Sequence, residues 1–112
     1  MNLRRRYLVE MASATDHLST AFTQGDHRRH TDDDLYRYAI AFLWLRLVEP
    51  ATRLLTLRLV DRDIVPDWQS FIVIRNSLAH DRNEEIDYSI LWGNLKDTIE
   101  SISDDLDLLL AS

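Results

Sequence analysis

The chain has 112 residues, a formal net charge of −6 and no cysteine. This length corresponds to one domain, and the lack of cysteine excludes disulfides, thiolate metal sites and cysteine nucleophiles. No apolar run reaches the ~18 residues that a membrane-spanning helix needs, and the first ten residues do not resemble a signal peptide. We therefore expect a single domain over residues 1–112 that is soluble and cytoplasmic and does not associate with a membrane.

The charged residues are distributed unevenly. Residues 1–80 carry 11 basic and 10 acidic side chains, a net charge of +1, whereas residues 81–112 carry 2 basic and 9 acidic side chains, a net charge of −7. Because nucleic-acid affinity usually comes from Lys and Arg that neutralise phosphates, the overall charge argues against a general polyanion binder. The near-neutral first part of the chain could still hold a short stretch of RNA.

Apolar residues at three- and four-residue steps predict a first helix over residues 3–23, which ends before Gly25. After a polar loop, Thr31 is a candidate N-cap for a second helix that carries apolar residues as far as Leu59. We expect Pro50 to kink this second helix because proline has no amide hydrogen to donate.

Two further helices complete the predicted fold. Pro66 suits the first turn of a third helix that ends near His80, and Asp87 can cap a fourth helix that continues to Leu109. Only two glycines and two prolines occur, too few for the turns of a sandwich or barrel. The sequence thus predicts an all-α fold. A chain this short buries only about two-thirds of its unfolded surface, so we also expect self-association.

The run Arg75-Asn76-Ser77-Leu78-Ala79-His80 contains the residues best suited to chemistry. Asn76 and His80 are four residues apart and share one helix face, whereas Arg75 and His80 point about 140° apart on an ideal helix. Cleavage of RNA without metal needs a proton acceptor, a proton donor and a cation beside the phosphorane, which histidine, asparagine and arginine can supply. The alternative is structural, with Arg75 in an ion pair and His80 at the end of the helix.

The segment Trp68 to His80 resembles the signature of HEPN proteins, in particular the HepT-like toxins, in which a tryptophan precedes Arg-Asn-x3-His. The resemblance extends to residues 35–40 and 48–54 of the second helix and to residues 86–87 and 91–92 of the fourth. It implies a four-helix up-and-down bundle that forms a homodimer, with both Arg-x4-His motifs lining a cleft at the interface. The implied activity is that of an endoribonuclease toxin that uses no metal or other cofactor and leaves a cyclic phosphate.

In such families the partner is a minimal nucleotidyltransferase antitoxin that modifies a tyrosine two positions after the histidine. Here that position is Arg82, which departs from the pattern. Arg82 could hold an RNA phosphate or pair with a neighbouring carboxylate. Tyr88 is an alternative acceptor, although a tyrosine in the core or an interface is the simpler explanation. Glu49 either orients Arg75 through a charge-assisted hydrogen bond or is a solvated glutamate beside Arg46 and Arg53.

Other polar groups have simpler explanations. His27 and His30 lie near aspartates as metal ligands do, but a solvated loop before an acidic helix start also explains them. Trp44 and Trp68 are more simply core or interface residues than platforms for nucleobases. The Arg4-Arg5-Arg6 run fits a solvated helix start or an approach to RNA, and the fourth-helix acids fit a solvated face or a surface for a basic antitoxin.

Three functions are therefore open. The first is a toxin-like endoribonuclease with Arg75, Asn76 and His80 at its centre. The second is a binding module without catalysis, in which the bundle docks a partner through the acidic fourth helix. The third is a helical oligomer whose Arg75 and His80 only stabilise an interface.

Overall fold

The computed structural model describes residues 2–24, 34–70, 72 and 88–111, and it confirms the all-α prediction for them. Three long helices are present in these ranges: α1 (Leu3–Gln24), α2 (Asp34–Thr56) and α3 (Tyr88–Ala111). Residues 68–70 are also helical, and none of the described residues forms a strand. No helix in the described ranges has the length and apolar content that crossing a membrane requires.

The first helix begins where the sequence predicts and is capped by its own flanking residue. The Asn2 side-chain oxygen accepts a hydrogen bond from the Arg5 amide at 2.8 Å, and the Asn2 carbonyl accepts one from the Arg6 amide at 3.0 Å. This is the N-cap arrangement, in which a side chain satisfies an amide that has no partner within the helix. The predicted end at residue 23 agrees with the observed end at Gln24.

The second helix is shorter than the sequence predicts at its C-terminal end. It ends at Thr56, and Arg58 takes a left-handed conformation with a φ of 56°. The Leu59 amide donates to the Leu54 carbonyl at 2.8 Å and the Arg58 amide donates to the Leu55 carbonyl at 3.2 Å. These two bonds form a Schellman motif, which closes a helix on itself. The prediction that Leu59 belongs to the second helix is therefore wrong.

Pro50 lies inside α2, which continues through it for six more residues. The ring nitrogen cannot donate to the carbonyl of Arg46 one turn earlier. The predicted kink at this position stays a prediction.

The helix α1 packs against both other long helices. The Tyr36 hydroxyl, near the start of α2, donates to the carbonyl of Ala21 near the end of α1 at 3.0 Å. The Arg4 guanidinium, near the start of α1, donates to the carbonyl of Leu109 near the end of α3 at 3.4 Å. Both α2 and α3 therefore run antiparallel to α1.

One hydrophobic core joins the three helices and the segment around Trp68. Trp44 and Trp68 are its largest fully buried side chains, so of the two predicted places, core or interface, both residues occupy the core. Leu8, Leu47 and Leu95 are also fully buried, so each long helix contributes to this core. At roughly 25 cal/mol per Å² of apolar area, burial of such side chains is the main favourable term in the stability of the bundle.

Candidate active site

The segment that leads into the Arg75 to His80 motif is anchored by a series of short-range bonds. The Val65 carbonyl accepts from the Trp68 amide at 3.1 Å, and the Asp67 carbonyl accepts from the Ser70 amide at 3.1 Å. Pro66 stands between them, at a position where a missing amide hydrogen costs nothing. The observed helical turn at residues 68–70 agrees with a third helix that starts near Pro66.

Trp68 ties this segment to α3. Its indole Nε1–H donates to Asp105 Oδ2 at 3.0 Å, and the side chain is otherwise enclosed in the core. A second, longer contact lies beside it, where the Ser101 hydroxyl donates to Asp67 Oδ2 at 3.5 Å. The fixed end of the third helical segment is thus seven residues before Arg75. The sequence held no signal for this bond, because its two partners are 37 positions apart.

Asp105 has an unusual electrostatic environment for a surface helix. Burial raises the pKa of its carboxyl above the ordinary value of 3.8, and the negative charges of Asp67 and Asp104 raise it further. The hydrogen bond from Trp68 acts in the opposite direction and lowers the pKa, but the net shift is upward. The carboxylate that anchors Trp68 is therefore held at an electrostatic cost.

The remaining acids of α3 form a solvated face, as one of the two sequence interpretations proposed. Four are exposed, and they are Asp97, Glu100, Asp104 and Asp107. Asp105 is the exception among the predicted set, because it is half-buried against Trp68.

The predicted catalytic residues Arg75, Asn76 and His80 lie outside the described residues, and so does Arg82. Tyr88 is the first residue of α3, and only its backbone is described. Glu49 is half-buried on α2, one residue before Pro50. Its proposed hydrogen bond to Arg75 stays a prediction.

Two of the three arginines at the start of α1 contact other groups of the protein. Arg4 is half-buried and bonds to Leu109, and Arg6 Nε lies 3.5 Å from a carboxylate oxygen of Glu10. Arg5 is exposed. This arrangement favours the interpretation of a helix start over that of an RNA-binding cluster.

An open depression of about 550 Å³ lies beyond the C-terminal end of α2. Two arginines and two aspartates line it together with two apolar residues: Leu55, Arg58, Val60, Asp61, Arg62 and Asp63. The Arg62 guanidinium donates to the Gln69 side-chain oxygen at 3.1 Å. Because its charges balance, this depression offers no net attraction to a phosphate.

His27 and His30, the two histidines that could act as metal ligands, lie outside the described residues. Within the described ranges, no group of three or more histidine, aspartate or glutamate side chains is arranged to hold a metal ion.

Comparison of the chain with protein-family models, curated proteins and solved structures finds no match.

Proposed function

We propose that the protein is a metal-independent endoribonuclease of the toxin–antitoxin type, with a composite site formed by two copies of the chain. The observation that carries this proposal is the motif Arg75-Asn76-x3-His80 after Trp68. It includes the three residue types that RNA cleavage without a metal needs, in a spacing that resembles the HEPN signature. The all-helical bundle of the described residues is compatible with that resemblance.

In the proposed reaction, His80 of one subunit accepts the proton of an RNA 2′-hydroxyl, and the resulting oxygen attacks the adjacent phosphorus. The bond from phosphorus to the 5′-oxygen breaks, and His80 of the second subunit donates a proton to that leaving oxygen. The products are a cyclic phosphate and a free 5′-hydroxyl. Arg75 stabilises the negative charge of the phosphorane, and Asn76 orients the phosphate by hydrogen bonding.

The anchoring of Trp68 supports the proposal on physical grounds. A catalytic group must be held within a fraction of an ångström by the element that carries it. Trp68 is fully buried and bonded to α3, so the helical segment before the motif starts from a fixed point. Ile72, three residues before Arg75, is also half-buried against the core.

The test is RNA cleavage by the purified chain in the presence of a chelator. We expect His80→Ala and Arg75→Ala to reduce the cleavage rate by at least about a hundredfold, as general acid–base and oxyanion groups do. His17→Ala and Arg53→Ala are matched controls, because both side chains are exposed on described helices and neither belongs to the motif. Equal cleavage by the wild type and the two motif variants would overturn the proposal.

A second candidate is a docking subunit without catalysis. The observation that favours it is the exposed acidic face of α3, which suits a basic partner. In this case a cognate partner would co-purify equally with the wild type and with His80→Ala, and no RNA would be cut. Replacement of Asp97 and Glu100 by lysine would then abolish co-purification.

The proposal includes a nucleotidyltransferase antitoxin as the cognate partner. Because Arg82 stands where the family has its modified tyrosine, control by masking of the site fits this sequence better than modification at that position. The chain is co-expressed with a nucleotidyltransferase encoded beside it and then analysed by mass spectrometry. An unchanged mass would indicate masking, and an added nucleotide would indicate modification. An added nucleotide on Tyr88 would show that modification operates at a shifted position.

A further inference from the structure

The outer surface of α2 carries a row of large apolar side chains that face away from the core. Leu35 is 80% exposed, Phe42 is 61% exposed and Tyr38 is 46% exposed, and Leu45 continues the row as a half-buried residue. We call these four residues the α2 stripe. Their spacing of three, four and three residues places them along one side of a helix, as in the seam of a coiled coil.

From this surface we infer that the α2 stripe is the contact by which two copies of the chain associate, with the two α2 helices antiparallel across a twofold axis. The inference rests on the proposed function for the expectation of a dimer, and it adds the surface on which the dimer forms.

The pattern of the α2 stripe matches the symmetry of such a contact. A twofold contact must be self-complementary, because the same patch appears on both sides. Leu35 and Leu45 are each five positions from residue 40, and Tyr38 and Phe42 are each two positions from it. When two α2 helices cross antiparallel at that level, leucine lies opposite leucine and tyrosine lies opposite phenylalanine.

The size of the surface suits a dimer of modest affinity. The α2 stripe spans ten residue steps, about 15 Å of helix. Its three most exposed side chains present roughly 300 to 400 Å², since a large aromatic side chain buries roughly 150 to 250 Å². A stable interface takes about 800 Å² from each partner, so the α2 stripe supplies its apolar centre and the neighbouring residues supply the rim.

The first test is the association state of the full chain by sedimentation velocity over a range of concentrations. We expect a wild-type dimer, and we expect Phe42→Glu to raise the dissociation constant at least about a hundredfold. The matched control is Leu108→Glu, because Leu108 is 72% exposed on α3, outside the α2 stripe. It should change the constant less than about twofold. Helix content by circular dichroism checks that both variants fold.

The second test reads the register directly, because the chain contains no cysteine of its own. Chains with Tyr38→Cys and chains with Phe42→Cys are mixed and oxidised. The antiparallel register predicts that disulfides between the two kinds of chain predominate. Predominant disulfides between two Tyr38→Cys chains would overturn the antiparallel arrangement.

The outcomes separate this inference from the proposed nuclease. A dimer that persists in Phe42→Glu would overturn the α2 stripe as the contact while leaving the nuclease intact. A wild-type monomer at all concentrations would overturn both. Loss of the dimer in Phe42→Glu without loss of RNA cleavage would support the α2 stripe and overturn the composite site.

Discussion

At the scale of single residues, the bond between Trp68 and Asp105 concentrates several physical effects in one place. The indole N–H bonds to water in the unfolded chain. In the folded protein it is buried, and it donates to Asp105 instead. A buried donor that loses its acceptor costs about 1 to 3 kcal/mol. Burial raises the pKa of the carboxyl that supplies the acceptor, and the nearby negative charges of Asp67 and Asp104 raise it further.

The loss of stability on substitution of Asp105 should therefore depend on whether the new side chain still has an acceptor for the Trp68 indole. We expect Asp105→Ala to lower the free energy of unfolding by about 1 to 2 kcal/mol. Asp105→Asn keeps a side-chain oxygen and should lose much less. The measurement is urea unfolding followed by circular dichroism, with Asp97→Ala as an exposed control on the same helix that should change stability by less than about 0.5 kcal/mol. Equal losses for Asp105→Ala and Asp105→Asn would mean that the bond contributes nothing.

The raised pKa of Asp105 makes a prediction about pH with a definite sign. A carboxyl whose pKa is higher in the folded than in the unfolded state favours folding when it is protonated. That contribution is complete below the ordinary pKa of 3.8 and is lost as the pH rises through the higher folded-state value. The stability of the wild type relative to Asp105→Asn should therefore fall as the pH rises.

Urea unfolding of both proteins between about pH 3 and about pH 7 measures this difference. Every other carboxylate is common to the two proteins, so its contribution largely cancels. A wild type that gained stability relative to Asp105→Asn with rising pH would show that the folded-state pKa is lowered instead.

At the scale of elements, the end of α2 shows a conformational cost that the sequence did not reveal. The Schellman motif needs a left-handed residue, and Arg58 takes that position in place of the usual glycine. A residue with a Cβ atom pays roughly 1 to 2 kcal/mol in that conformation. No turn residue marks the end of the helix, so the apolar pattern by itself predicts that the helix continues to Leu59.

Replacement of this residue should stabilise the protein. We expect Arg58→Gly to raise the free energy of unfolding by about 0.5 to 1 kcal/mol, because relief of the left-handed strain exceeds the added entropy of the unfolded chain. Arg53→Gly, inside α2, is the control and should lower it by about 1 kcal/mol. Thermal unfolding of the two variants beside the wild type measures both effects. A loss of stability in Arg58→Gly would show that the arginine side chain contributes more than its backbone costs.

Helix α2 also shows what apolar periodicity cannot predict, namely which side of a helix is buried. Apolar residues occur on most of its circumference, so the pattern predicts a helix but cannot say which side faces the core. The structure buries Ile40, Trp44 and Leu47 and exposes Leu35 and Phe42. That choice depends on how α1 packs against α2, which no local pattern encodes.

At the scale of the whole molecule, what could be predicted follows from the range of the interactions involved. The all-α class and the bounds of α1 follow from local periodicity, and the structure confirms both for the described residues. The burial of Trp44 and Trp68 follows from their size and apolar neighbours. The bond from Trp68 to Asp105 joins distant parts of the chain and was not predictable. Arg75, Asn76 and His80 are predicted from their chemistry, and their arrangement stays a prediction.

The whole-molecule hypothesis joins the motif to the dimer, and kinetics can test that link. If each site needs two copies of His80, only dimers cut RNA. Well below the dissociation constant, the dimer concentration rises with the square of the chain concentration, so the rate per chain should double when the concentration doubles. Far above the dissociation constant, the rate per chain should become constant.

Phe42→Glu brings this behaviour into a measurable range, because disruption of the α2 stripe raises the dissociation constant. We expect the variant to follow the square law at concentrations where the wild type and Leu108→Glu already cut RNA at a constant rate per chain. Covalent linkage of two Phe42→Glu chains in tandem should restore that constant rate, since it raises the effective concentration of the second subunit. A rate per chain independent of concentration in the unlinked variant, with a monomeric protein in the same buffer, would place the complete site within one chain.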